Sequence, residues 1–139
     1  MAALKKVLVF SDGASRGNPG PAAIAYSIHE ESGRRIESSA RVIGVATNNE
    51  AEYQALLLAM ERARTFCRDS AEFYLDSELV VNQVNGQYDA RDDRMRDYLL
   101  KVRSMARDFK QVRFTYVPRE TRHIRAVDAM VNEALDRAG

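Results

Sequence analysis

The chain has 139 residues, a length that suits one domain, 1–139, with one substantial core. Hydrophobic residues make up 45% of it, too many for a disordered tail, and a net charge of +1 neither demands nor forbids a nucleic-acid partner. The single cysteine, Cys67, excludes an internal disulfide and a multi-cysteine zinc site, no stretch approaches a membrane span, and the opening apolar run Val7–Phe10 is too short for a signal-peptide core, so a cytoplasmic location is the expectation.

In chain order, "KKVLVFSDG" reads as a buried strand ending near Asp12, followed by the Gly- and Pro-rich loop "GASRGNPGP". "AAIAYSIHE" and "RRIESSARVIG" read as two further strands joined by a turn at Glu31, Ser32 and Gly33. Thr47 to about Phe66 has helical spacing, "AEFYLD" is a short strand, and "SELVVNQVNG" is a short helix stopped by Gly86. From Asp92 to Phe109 the apolar positions Met95, Tyr98, Leu99, Val102, Met105, Ala106 and Phe109 keep the helical period, with Asp92–Arg96 and Asp97–Lys101 spaced as i,i+4 ion pairs on a solvated face. "QVRFTYV" is a last strand broken by Pro118, and a closing helix is expected from about Ile124 to Ala138. Early hairpins followed by strand–helix alternation predict an α/β fold with a mixed sheet, its parallel half covered by helices.

Four acids stand out against this background. "TNNE" fits a capping box with Thr47 as N-cap and Glu50 reaching back to it, which accounts for Glu50. Glu52 has no such role and lies on the apolar stripe of Leu56, Ala59, Met60 and Ala63. Asp12 and Asp76 each close an apolar strand, and Asp128 borders the stripe of Ile124, Val127, Val131, Ala134 and Leu135. Taken singly, each is explained as a turn, cap or surface carboxylate. Taken together, they can converge where strand carboxyl ends gather sites. Packed carboxylates would repel and take up protons unless cations neutralised them, and hard oxygen ligands select Mg²⁺ or Mn²⁺ over zinc. Two such ions about 4 Å apart support metal-assisted phosphodiester hydrolysis with no covalent nucleophile.

The segments "SDGASRGNPGPAA", "TNNEAEYQAL", "LDSELVV" and "VPRE…VDAMVNEALD" resemble, in order and spacing over nearly the whole chain, the motifs of ribonuclease HI. The resemblance implies a ribonuclease H-like fold with a five-stranded mixed sheet, and Mg²⁺-dependent cleavage of the RNA strand of RNA/DNA hybrids by a monomeric enzyme with two ions per site. Matched position by position, it implies that Asp12, Glu52, Asp76 and Asp128 are the catalytic metal ligands. Glu52 and Asp76 would hold one face of the pair, Asp12 would bridge both ions and Asp128 would complete the second site. It also implies that Asn18, Asn48 and Asn49 lie in the minor groove of the hybrid, where an amide can read a 2′-hydroxyl, and that Thr47 and Asn132 lie near a DNA-strand phosphate.

The pattern departs from the family in two places. The basic, tryptophan-rich protrusion of some members is missing, since "NGQYDARDDRMRDYLL" runs straight into the next helix; the layout is similar to the compact archaeal and bacterial branch, some of which is reported to act on double-stranded RNA as well. Between "VPRE" and Asp128, "TRHIRAV" is longer by about two residues than in related compact members. His123 there is read as a surface histidine, with it and Glu120 as candidates for the mobile-loop role the family assigns before its last Asp. Two rival readings stay open: a catalytically silent hybrid-binding module, and an integrase- or resolvase-like enzyme acting on DNA.

Overall fold

The computed structural model describes residues 4–139. Five strands form one mixed sheet in the order β3-β2-β1-β4-β5, with β1 at Lys6–Ser15, β2 at Gly20–Glu30, β3 at Arg35–Ala46, β4 at Ser70–Leu75 and β5 at Gln111–Tyr116. The meander β1–β2–β3 is antiparallel, whereas β4 and β5 run parallel to β1. Helices α1 (Asn48–Ala63), α2 (Glu78–Val84), α3 (Asp93–Ala106) and α4 (Arg122–Ala138) complete the order expected from the sequence.

Strand alternation divides the core between the two faces. Val7, Val9, Tyr26, Ile28 and Phe73 pack with Leu56, Met60 and Ala63 of α1 and with Val102 of α3. Phe10, Ala23 and Ala25, on the opposite face, pack with Ile124, Val127, Val131 and Leu135 of α4. The stripe read for α4 is thus the buried one, and Asp128 sits at its margin. Glu37 on β3 ties the first layer together, accepting from the Tyr26 hydroxyl at 2.6 Å and from Nε and Nη2 of Arg62 on α1, each at 2.8 Å.

Local chemistry sets the helix starts. Thr47 and Glu50 form the capping box at the head of α1, Ser77 caps α2 through Val80 N–H, and Gly86, at φ 81°, follows the end of α2. On α3 the expected ion pairs do not form. Asp92 is the N-cap, accepting from Arg94 and Met95 N–H, and Arg96 lies 3.5 Å from Asp93 while donating to the Ala90 and Arg91 carbonyls. Lys101 lies over the Tyr98 ring instead of pairing with Asp97. A helix-start carboxylate satisfies orphan N–H groups, which outweighs an exposed side-chain pair.

Candidate active site

Asp12 lies inside β1 rather than at its end: it pairs with Ala25, and β1 continues because Gly13, Ala14 and Ser15 pair with Ile24, Ala23 and Ala22. Small and polar residues hid that extension. The parallel register aligns Phe10 with Tyr74, whose rings stack at 5.0 Å, so continuing it by two residues sets Asp12 beside Asp76, just beyond β4. Glu52 is brought to them by the close approach of α1 to Gly13. A β-carbon at Gly13 would stand 2.2 Å from the Ala51 carbonyl oxygen, and the Gly13 N–H donates to Glu52 Oε1 at 2.7 Å.

One oxygen from each of Asp12, Glu52 and Asp76 lies within 4.8 Å of the others. Asp12 and Glu52 are buried, and Asp12 Oδ2 and Glu52 Oε2 have no hydrogen-bond partner. Burial pushes the Asp12 carboxyl far above the usual range, and the charges of Glu52, Asp76 and Asp128 push it further. Burial raises Glu52 as well, with Asp76 adding to it, while the hydrogen-bonding Asp12 carboxyl, the Gly13 N–H and Arg119 oppose it. Without a cation this cluster holds protons at neutral pH. Orphaned oxygens on an all-carboxylate donor set are what a hard divalent ion would satisfy, so the residues fit Mg²⁺ or Mn²⁺.

Asp128 stands outside that three-oxygen set, on the α4 side, where its charge acts on Asp12 and Arg119. Asn132, one turn on, donates from Nδ2 to the Asp128 carbonyl at 3.1 Å and to its carboxylate at 3.4 Å. Two arginines at the site escaped the sequence reading. Arg119, after the β5 end, donates from Nε to Asp76 Oδ2 at 3.1 Å; its side chain is 70% exposed, whereas that of Asp76 is 6% exposed. Arg16, on the β1–β2 loop, reaches Asp136 at 2.6 Å and the Asn132 carbonyl at 3.3 Å, fastening that loop to α4. The signal for Arg119 was its place next to Pro118 at the end of the strand bordering β4; Arg16 had none.

The remaining residues singled out from the sequence gather beside the acids. The head of α1 meets the β1–β2 loop where Asn48 N–H donates to Asn18 Oδ1 at 3.0 Å and Ser15 N–H donates to Asn48 Oδ1 at 2.9 Å. Among the described residues neither amide nitrogen is engaged, so both remain as exposed donors. Asn49 is exposed beside them, and Thr47 is half-buried as the cap. His123 departs from its surface reading. It lies in the first turn of α4, with its ring 4.7 Å from Phe10 and 4.3 Å from His29, because the helix begins two residues earlier than the apolar spacing suggested. Glu120 is exposed in the turn before α4.

Comparison with known proteins agrees with this arrangement. Residues 10–134 match the family described as reverse transcriptase-like. The chain is 41% identical over 133 residues to ribonuclease HI of Halobacterium salinarum, covering 96% of this chain and 66% of that protein. It is 33% identical over 136 residues to a bifunctional protein of Mycobacterium tuberculosis, covering 96% of this chain and 36% of that one. The chain therefore spans about two thirds and about a third of these relatives' lengths. The crystal structure of the Halobacterium salinarum RNase H1 superposes with a TM-score of 0.91 at 41% identity, over 95% of this chain and 98% of that one. LC11-RNase H1, whose crystal structure is a complex with RNA/DNA hybrid, superposes with a TM-score of 0.88 at 35% identity, over 95% and 98% of the two chains. With sheet order, helix placement and sequence in agreement over nearly its full length, the chain belongs to the ribonuclease HI family within the reverse transcriptase-like group.

Proposed function

We propose that the chain is a divalent-metal-dependent endonuclease that hydrolyses the RNA strand of RNA/DNA hybrids. The observation that carries this reading is the convergence of Asp12, Glu52 and Asp76, with two buried oxygens left unpartnered. The hybrid substrate is supported by relationship to proteins of that activity and by the hybrid bound to LC11-RNase H1.

In this reading Asp12, Glu52 and Asp76 hold the metal, and Asp128 closes the site from α4. Two bound ions would supply an activated water and stabilise the leaving oxygen. The protein's own residues do the rest. Gly13 N–H fixes one Glu52 oxygen, leaving the other turned into the cluster. Arg119 offers a guanidinium at the site mouth, where an anionic backbone arrives. The free amide donors of Asn18 and Asn48 lie on the approach to the acids and suit 2′-hydroxyls of one strand, giving selection for RNA without added charge. Thr47 and Asn132 flank the phosphate of the other strand. Mg²⁺ as the working ion, a monomeric state and a cytoplasmic location belong to the same proposal.

The test is a substrate panel of labelled hybrid, duplex RNA and duplex DNA with Mg²⁺, run for the wild type and for Asp76→Asn. Cleavage of the hybrid by the wild type alone is expected. Equal cleavage by both proteins, or by neither, removes the enzyme reading, and preference for duplex DNA removes the substrate. Cleavage of duplex RNA would extend the substrate range to a second A-form helix.

A further inference from the structure

The face of the sheet under the first turns of α4 holds a second polar cavity of about 380 Å³, separate from the acids. His29 and Ser27 of β2, Arg35 and Ser38 of β3, and Arg122 and His123 of α4 line it, and no aspartate or glutamate does. Phe10 stands between it and the acid cluster, its ring 5.5 Å from that of His29 and 4.7 Å from that of His123.

Four of the polar side chains of this cavity, those of Arg35, Ser38, Arg122 and His123, have no protein partner among the described residues, and the residues of both guanidiniums are exposed. Among the described residues neither Arg35 nor Arg122 makes an ion pair. His29 is 4% exposed and is oriented by Ser27 Oγ at 3.0 Å and the Gly33 carbonyl at 3.3 Å. The His123 ring nitrogens have no protein partner among the described residues, although the ring packs 4.3 Å from His29. Two adjacent imidazoles facing two guanidiniums are costly to protonate. Burial lowers both histidines; at His29 the Gly33 carbonyl opposes it while the charges of His123 and Arg35 add to it, and at His123 the charge of Arg122 adds. An anion would reverse that balance and satisfy the guanidiniums with charge-assisted hydrogen bonds.

We propose that this cavity is an anion site for a phosphoryl group, gripped by Arg35 and Arg122, with Ser38 and His123 as further donors and His29 packed behind His123. Such a ligand bridges β2, β3 and the helix that carries Asp128. The phosphoryl group can come from a free phosphate or phosphomonoester, or from the backbone of a nucleic acid lying over α4. The inference rests on the cavity alone and does not depend on the nuclease reading.

The experiment follows the imidazole proton resonances of His29 and His123 in metal-free protein while sulfate or inorganic phosphate is added, with chloride at matched ionic strength as reference. Saturable shifts of both histidines are expected, with a rise in their pKa and tighter sulfate binding as pH falls. Sulfate keeps its charge over that range, so the pH dependence reports the protein. Arg35→Ala and Arg122→Ala should each weaken binding by about tenfold or more, from the loss of one charge-assisted contact. Shifts no larger than those from chloride, or shifts unchanged in both single variants, overturn the proposal. A short RNA/DNA hybrid added without metal separates the sources. If it moves the same resonances in an arginine-dependent way, the ligand is a backbone phosphate; if only the small anions do, it is a free phosphoryl compound.

Discussion

The backbone N–H of Gly13 donates to Glu52 Oε1 across 2.7 Å, joining the residue after the strand acid to the helix acid. The contact exists because position 13 has no side chain: a β-carbon would stand 2.2 Å from the Ala51 carbonyl oxygen and 2.9 Å from the Glu52 nitrogen. These are backbone atoms and cannot swing aside. Gly13→Ala should therefore push α1 off β1, costing about 1–3 kcal/mol or more as an overpacked site, and should separate Glu52 from Asp12. Urea unfolding with and without Mg²⁺ checks both parts. A variant with wild-type stability and undiminished stabilisation by Mg²⁺ would show that the close approach is not needed.

In the metal-free protein the Asp12–Glu52 pair should cost stability as pH rises. Asp12 and Glu52 both have folded-state pKa values raised by burial, Asp12 further by the charges of Glu52, Asp76 and Asp128 and Glu52 by that of Asp76, so at neutral pH this pair binds more protons in the folded chain than in the unfolded one. The contribution of this pair is then greatest in acid, below the ordinary carboxylate range, and is lost from about pH 4 upward through neutrality, whereas Glu37, lowered by Arg62, and His29 and His123, lowered by burial, act in the opposite sense. Mg²⁺ should reverse the trend, since it binds the ionised form, and its stabilising effect should be larger at pH 8 than at pH 6. Glu52→Gln should flatten the metal-free profile while abolishing the response to Mg²⁺. Thermal melts of wild type and Glu52→Gln across pH with EDTA or Mg²⁺ read this directly, and a metal-free difference between wild type and variant that climbs with pH would contradict the burial argument.

Glu52 was legible in the sequence because an acid on an apolar helical stripe violates a local pattern, and Asp76 because it ends an apolar strand beside a cap. The strand and helix order was legible for the same reason, since α1 and α4 each keep one buried stripe and α3 turns Leu99 and Val102 inward, flanked by half-buried Met95, Tyr98 and Met105. What stayed hidden depends on partners distant in the chain. Gly13–Ser15 become strand only because Ala22–Ile24 pair with them. Arg119 meets Asp76 across 43 positions, and His123 is half-buried because Phe10 and His29 lie beneath the first turn of α4. Asp92 could satisfy either an i,i+4 pair or a cap, and the spacing alone did not choose.

Arg119 should compete with the metal for Asp76. Its Nε lies 3.1 Å from Asp76 Oδ2, and its side chain is largely in water, where such a pair contributes about 0.2–1 kcal/mol. Arg119→Ala should thus tighten Mg²⁺ binding by up to about fivefold, the factor corresponding to that range, while lowering turnover on hybrid because the site mouth loses its guanidinium. Arg119→Lys should keep part of each effect. Calorimetric Mg²⁺ titration measures the first, and weaker Mg²⁺ binding in the alanine variant would mean that Arg119 supports Asp76 instead of competing for it.

Asn48 can be tested so that its structural and substrate roles come apart. Its Oδ1 accepts from Ser15 N–H at 2.9 Å and from Ser15 Oγ at 3.3 Å, so the oxygen holds the β1–β2 loop against α1. Its amide nitrogen is the part left for a 2′-hydroxyl. Asn48→Asp retains the acceptor and places a negative charge in the first turn of α1, where the helix dipole favours it by about 0.3–1 kcal/mol; the fold should be as stable as the wild type or slightly more so. The same change removes the donor and sets a carboxylate against a polyanion, so the KM for hybrid should rise about tenfold, the cost of roughly one hydrogen bond to substrate. Asn48→Ala should lose stability and hybrid affinity together. A purely structural Asn48 would leave the aspartate variant with a wild-type KM, whereas a reader of the RNA strand separates the two substitutions by stability and unites them by affinity.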